Sequence, residues 1–192
     1  MKKLVTVLVS LSLIVVFSLS AQAGSIEVEG VMLPETLEVG EHELVFNGAG
    51  KRSRWMMSVY VSALYLTEPS SNAREIIESD EAKAITLRIT SDRITRERMI
   101  NNIEEGFELA TGGNTSAIRA PIDQLLSAFD REIEDGDWVE LLYLPERGVL
   151  VRHNDEEVGQ VKGEPEFREA LFAIWLGEDP GSETLKKEML GK

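Results

Sequence analysis

The chain contains no cysteine among its 192 residues. It therefore has no disulfide, no cysteine nucleophile and no cysteine for lipid attachment after a leader sequence, so its stability has to come from a hydrophobic core. Histidine is nearly as scarce, since the two histidines, His42 and His153, lie far apart and neither belongs to a metal-ligand motif. The sequence predicts no metal site and no cofactor.

Basic residues are also few, with 20 lysines and arginines against 34 aspartates and glutamates. This excess of negative charge opposes binding to nucleic acid and to anionic lipid surfaces. Common catalytic motifs are missing, because there is no G-x-S-x-G elbow and Gly50-Lys51 lacks the rest of a phosphate-binding loop. The composition therefore indicates no nucleic-acid partner and no common enzyme site.

The first 23 residues have the pattern of a secretory signal peptide. Two lysines precede an apolar run over residues 4–19, and Ala21-Gln22-Ala23 provides small residues for cleavage. The run is short for a membrane anchor. We therefore expect cleavage near Ala23 and a periplasmic or secreted protein without a stable membrane anchor. Residues 24–192 should form one domain, whose net charge falls from −14 to −16 when the two lysines are removed.

Hydrophobic periodicity separates predicted strands from predicted helices. The predicted strands are 26–31, 43–47, 55–66, 84–89, 138–144, 149–153 and 158–161. The predicted helices are 71–78, 95–110, 120–131, 165–176 and a short one after Ser182. This order predicts an α+β fold in which helices are layered on one face of a mostly antiparallel sheet.

The most informative stretch is GAGKRSRWMMSVYVSALYL, residues 48–66. We interpret Asn47-Gly48 as a turn that delivers Arg52 and Arg54 to the start of a long apolar strand. The alternation of side chains predicts that one face of this strand carries Met56, Ser58, Tyr60, Ser62 and Leu64. A guanidinium and a phenol above an apolar surface can hold an amphipathic molecule with an acidic or carbonyl end. A purely structural role, with Arg52 capping the turn and Tyr60 half-buried, remains an alternative.

Four segments resemble, in order and spacing, the chalcone isomerase-like superfamily and especially its bacterial exported branch: residues 28–40, 47–66, 103–108 and 167–191. The resemblance implies an open-faced β-sandwich, in which a large antiparallel sheet is covered by a layer of helices and the ligand cleft lies between them. It implies one of two functions. Chalcone isomerases cyclise a chalcone to a flavanone, whereas related members hold a fatty-acid carboxylate between an arginine and a tyrosine.

The residues that match the family pattern resemble the fatty-acid-binding members. The shared arginine is Arg52, and Tyr60 stands on the strand where the isomerases carry threonine. The helix asparagine corresponds to Asn102, with Asn101 one residue away. Seven residues before Asn102 stands Thr95, where the isomerases carry tyrosine. Loss of that phenol is expected to remove transition-state stabilisation.

We therefore predict a non-catalytic binder of a small amphipathic ligand, with a fatty acid as the leading candidate. Arg52 would pair with the carboxylate and Tyr60 would donate a hydrogen bond to it. Arg168, at the position of a late-helix hydroxyl in the isomerases, would either add a second charge or face solvent. The candidate wall residues are Met56, Met57, Leu64, Ile103 and Phe107.

Two alternatives remain open at this point. A chalcone isomerase-type intramolecular lyase would use Arg52 to polarise a carbonyl, together with Tyr60 and Asn102. A structural or interaction protein of the cell envelope would have its cleft filled by side chains. A cavity beside Arg52 would argue against the second of these.

Overall fold

The computed structural model of the protein describes residues 24–54 and 57–192. The predicted signal peptide and Met56 lie outside these residues, as do the side chains of Arg54 and Met57. The strands are β1 (Ser25–Val28), β2 (Val31–Pro34), β3 (Thr36–Val39), β4 (His42–Arg54), β5 (Met57–Leu66), β6 (Lys83–Ile89), β7 (Trp138–Leu144), β8 (Gly148–His153) and β9 (Glu156–Val161). The helices are α1 (Ala73–Glu78), α2 (Arg96–Ala110), α3 (Arg119–Ser127), α4 (Pro165–Leu176) and α5 (Glu183–Met189).

Strands β3 to β9 form one seven-stranded sheet whose strand order follows the chain, and β1 and β2 form a separate hairpin. Every neighbouring pair in the large sheet is antiparallel. The predicted α+β fold with a large antiparallel sheet is therefore confirmed. A turn or a helix-containing connection is enough to bring each strand beside the previous one.

Alternation along the strands gives the sheet two different apolar faces. On β5, Leu64 packs into the core that includes helices α2 to α5, whereas Ala63 and Tyr65 pack into the core that includes the β1–β2 hairpin. The Tyr65 hydroxyl donates to the carbonyl of Pro34, at a distance of 3.0 Å, and ties the hairpin to the sheet. The sheet is thus covered on both sides, and the helices lie on the side that Tyr60 shares with Leu64.

The predicted turn at Asn47-Gly48 is wrong, because β4 continues through this segment to Arg54. Asn47 is an extra residue in the ladder between Phe46 and Gly48, and its side-chain amide donates to the carbonyls of Ser70 and Met189. A Cβ on Gly48 would collide with backbone carbonyl oxygens at the end of α5. Glycine is therefore needed here for the close approach of a helix.

The helix starts follow ordinary capping chemistry. The side chains of Thr95 and Ser182 accept hydrogen bonds from the backbone N–H groups of Arg98 and Leu185, and so cap α2 and α5. Helix α3 ends at Ser127, four residues earlier than the sequence predicts. Across residues 24–54 and 57–192, no helix combines the length and the apolar character needed to cross a bilayer.

Candidate functional site

A cavity of about 740 Å³ lies between the sheet and the helices. The sheet contributes residues from β4 and β5, and the helical side contributes α2, the end of α4 and the start of α5. The lining residues are Arg52, Val59, Tyr60, Arg93, Ile94, Arg98, Asn101, Asn102, Glu105, Gly106, Leu109, Ile174, Trp175, Pro180, Gly181, Ser182 and Leu185. The cavity is therefore partly apolar and partly polar, as expected for an amphipathic ligand.

Arg52 and Tyr60 face each other across the β4–β5 ladder, where they are direct partners. The ladder is irregular at this point, because Ser53 pairs with Ser58 and leaves Val59 without a partner. This bulge allows both Val59 and Tyr60 to line the cavity, although they are consecutive residues. The bulge therefore places an apolar side chain directly beside the phenol.

The Arg52 side chain also contacts the loop that joins α4 to α5. Its Nη1 donates a hydrogen bond to the carbonyl oxygen of Gly181, and a Cβ on Gly181 would lie 3.4 Å from Nη2. A guanidinium has five N–H donors, so this bond leaves donors for a ligand. Arg52 thus joins the sheet to the loop and still presents positive charge to the cavity.

Tyr60 is held as a neutral phenol. Burial raises its pKa above the usual value, while the Arg52 charge and a hydrogen bond from Trp175 partly oppose this rise. An indole N–H can only donate, so the Tyr60 oxygen accepts from Trp175. The proton of the Tyr60 hydroxyl can therefore be donated to an acceptor atom of a ligand.

Helix α2 provides the opposite wall of the cavity. The sequence leaves open whether Asn101 or Asn102 faces the cleft. In the structure both asparagines line the cavity. A Cβ on Gly106 would lie 2.7 Å from Cγ2 of Ile174. This glycine allows α4 to approach α2 closely where Gly106 and Ile174 line the cavity.

Several predicted wall residues belong to the core and do not line the cavity. Phe107 is 1% exposed and stacks on Phe167, with ring centroids 5.7 Å apart. Ile103 and Leu64 are also buried in the helix-side core. These residues share a helix or strand with cavity residues, but their side chains fill the space between the sheet and the helices. None of the three lines the cavity, so the predicted contact with a ligand stays a prediction.

Arg168, for which the sequence leaves open a second charge at the ligand or a position facing solvent, neither lines the cavity nor faces solvent. It is 6% exposed. Its Nη1 donates to Asp80 at 2.6 Å and to the Tyr143 hydroxyl at 3.3 Å, and its Nη2 donates to the Glu78 carbonyl at 3.1 Å. The guanidinium therefore joins α4 to the end of α1 and to β7.

Sequence reasoning missed five polar residues that line the cavity. These are Arg93, Arg98, Glu105, Trp175 and Ser182. Trp175 lies in the predicted helix 165–176, and its indole N–H is a signal that could have identified it, because a buried indole N–H usually needs an acceptor. Thr95, at the isomerase tyrosine position, is used as the helix cap of α2. In the described part of the chain, no three His, Cys, Asp or Glu side chains form a group suited to a metal ion.

Comparison with known proteins gives a family match and matches to solved structures. A family model described as chalcone isomerase-like matches residues 25–191. The crystal structure of a fatty-acid binding protein from Arabidopsis thaliana matches with a TM-score of 0.68 and 17% sequence identity, over 87% of this chain and 96% of that one. Comparison with curated protein sequences gives no match. At this identity the structural match shows a shared fold.

Proposed function

Because the chain belongs to the chalcone isomerase-like family, whose model matches residues 25–191, we propose that it is an exported, non-catalytic protein that binds a small amphipathic ligand such as a fatty acid. Arg52 and Tyr60 hold the polar end of the ligand in the cavity between sheet and helices. No cofactor takes part. The ligand is released unchanged.

One observation carries this proposal, namely the pairing of Arg52 with Tyr60 at the wall of a single cavity. The guanidinium offers charge and several donors, and the phenol offers one more donor because its oxygen already accepts from Trp175. A carboxylate has only acceptors and carries the opposite charge, so it matches both groups. The apolar chain of the ligand would then lie against residues such as Val59 and Ile174.

The volume of the cavity and the fold shared with a fatty-acid binding protein support the same ligand class. Its volume of about 740 Å³ falls within the range of about 300–1,000 Å³ that is typical of small-molecule sites. The Arabidopsis thaliana protein that shares the fold is a fatty-acid binding protein. Catalysis receives less support, since Thr95 caps a helix where the isomerases carry a tyrosine.

Arg52→Gln is expected to weaken binding of palmitate by about ten- to a hundredfold. A charge-assisted hydrogen bond is worth about 1.5–3 kcal/mol, and about 1.4 kcal/mol corresponds to a tenfold change in affinity. Isothermal titration of delipidated protein with palmitate measures the effect. Tyr60→Phe, which keeps the ring and removes one donor, should weaken binding less, by about three- to tenfold.

Arg74→Gln is the matched control, because Arg74 is an exposed arginine of α1 that pairs with Glu78. It should bind palmitate like the unaltered protein. Equal palmitate affinity in the Arg52 and Arg74 variants would refute the proposed pairing of Arg52 with the carboxylate. Turnover of a chalcone above the uncatalysed rate, lost in Arg52→Gln, would instead favour the isomerase alternative.

Export can be tested separately from binding. If the first 23 residues act as a signal peptide, the protein recovered from outside the cytoplasm begins at Gly24. Intact-mass spectrometry of that material should therefore give the mass of residues 24–192. Recovery of the full-length chain from the cytoplasm alone would contradict export.

A further inference from the structure

Three arginines line the cavity, and none of them has a carboxylate partner within the described ranges. These are Arg52, Arg93 and Arg98. Six other arginines do form ion pairs: Arg74, Arg119, Arg131, Arg147, Arg152 and Arg168. The chain has 34 acidic residues against 20 basic ones, so carboxylates are plentiful. Among the described residues, Arg88 and Arg96 also lack an ion pair, but Arg88 lies over the Trp138 ring and Arg96 donates to the Phe129 carbonyl. Three arginines without an ion-pair partner therefore lie at the same cavity.

The three arginines belong to one end of the cavity. Tyr60, the partner of Arg52, pairs on its other side with Ile89, the last residue of β6. Arg93 follows only four residues later, a distance of at most about 14 Å along the chain. The Nη1 of Arg98 donates to the carbonyl oxygen of Arg93 at 2.7 Å. The ends of β4 and β6 and the start of α2 therefore bring these charges to the same region.

The other end of the cavity is different in character. From Arg98 to Leu109, α2 advances eleven residues, which is about 16 Å along its axis. Leu109 lines the cavity and is 42% exposed. Ile174 of α4 lies beside Gly106 in the same part. The cavity thus has a basic end and an apolar end that are separated by roughly the length of an extended acyl chain.

A polar recess continues from the basic end toward solvent. It shares Arg93, Arg98 and Asn101 with the cavity and adds Asp92, Thr95 and Glu97. Neither Asp92 nor Glu97 forms an ion pair with the cavity arginines in the described part of the chain, and the same holds for Glu105 in the cavity itself. The recess provides room for a headgroup larger than a carboxylate.

We propose that the ligand carries two negative charges at its polar end, as in a phosphate monoester of a long alkyl or acyl chain. This inference rests on the proposed function of the same cavity and specifies its ligand class. Arg52 and Tyr60 bind one side of the phosphate, and Arg93 and Arg98 bind the other. A phosphate has three acceptor oxygens and matches the planar fork of arginine, whereas one carboxylate uses a single arginine.

The test compares three ligands of equal chain length: dodecyl phosphate, dodecanoate and dodecanedioate. Isothermal titration below the critical micelle concentration is carried out on the unaltered protein and on Arg93→Gln, Arg98→Gln, Arg52→Gln and Arg74→Gln. We expect dodecyl phosphate to bind about five- to tenfold more tightly than dodecanoate, since each exposed arginine contributes roughly a two- to fivefold gain. Arg93→Gln should reduce that preference by about two- to fivefold, because it weakens binding of dodecyl phosphate more than binding of dodecanoate.

Three results would overturn the inference: equal affinity for phosphate and carboxylate, a preference that survives both Arg93→Gln and Arg98→Gln, or tightest binding of dodecanedioate, which carries its second charge at the other end. Arg93→Gln is the cleaner variant. The Arg93 side chain makes no hydrogen bond with the described residues, whereas Arg98 holds the loop through its bond to Arg93.

The inference and the proposed function fail in different ways. If Arg52→Gln weakens dodecanoate binding and phosphate is not preferred, only the dianionic headgroup is refuted. If dodecanoate binds with the same affinity to Arg52→Gln and to the Arg74→Gln control, the proposed pairing of Arg52 with the carboxylate is refuted. The inference of a dianionic headgroup is then refuted as well. Absence of binding by all three ligands refutes both.

Discussion

Phe107→Ala is expected to lower the free energy of unfolding by about 3–5 kcal/mol. Phe107 is 1% exposed and stacks on Phe167. Truncation removes apolar contacts and leaves a cavity that the surrounding helix and sheet can close only in part. For a domain of this size, the midpoint of thermal unfolding should fall by roughly 10 °C. Urea unfolding followed by circular dichroism measures the change.

Leu109→Ala is the control for Phe107→Ala, because Leu109 lies on the same helix but is 42% exposed and lines the cavity. Its effect on the free energy of unfolding should be below about 1 kcal/mol. Folded Phe107→Ala should retain the palmitate affinity of the unaltered protein. A Phe107→Ala variant with an unchanged free energy of unfolding but weak palmitate binding would indicate that Phe107 contacts the ligand. It would contradict the assignment of Phe107 to the core.

Arg168→Met is expected to lower the free energy of unfolding by about 2–4 kcal/mol. The substitution removes the hydrogen bonds to Asp80, to Tyr143 and to the Glu78 carbonyl. The Asp80 side chain is 73% exposed and regains water, which keeps the loss below that of a fully buried pair. Arg168→Lys should recover little stability, since an ammonium cannot reproduce the planar fork. Palmitate affinity should stay unchanged in both variants.

A second measurement distinguishes loss of the Arg168 charge from loss of packing. Burial, and secondly the Arg168 charge, lowers the pKa of Lys83 from 10.5 to about 8. Between pH 8 and 10.5 the unfolded chain therefore binds more protons at this site, and stability rises with pH. Removal of Arg168 should raise the pKa of Lys83 and make this rise in stability smaller. An unchanged pH dependence would show that the two cations do not interact.

The fold could be predicted largely from local patterns, because the signals for strands and helix starts are local. The range 138–144 is predicted as a strand and is β7, and Thr95 stands at the start of a predicted helix and caps α2. Asn47-Gly48 is different. Its turn signal is genuine in sequence, but these residues contact the end of α5, about 140 residues later. Only the tertiary structure reveals such a contact.

The candidate site could be predicted in part for the same reason. The sequence predicts Arg52, Tyr60 and Asn102 by resemblance, and all three line the cavity. Periodicity identifies the apolar stripe that carries Phe107, but a stripe does not show which of its residues border an opening and which fill the core. Arg93 stands in a connection without a periodic pattern, so no local signal could assign it to the cavity.

The bond between Arg52 and Gly181 joins residues 129 positions apart, whereas each strand of the large sheet pairs with the strand next to it along the chain. Closing a long loop costs more conformational entropy than closing a hairpin, so distant contacts tend to form slowly. The sheet can therefore assemble stepwise before the cavity exists. Ligand binding then depends on the contacts that form last in folding. Recovery of ligand binding after denaturation would therefore show that the native structure is complete. Recovery of β-structure alone would not show this.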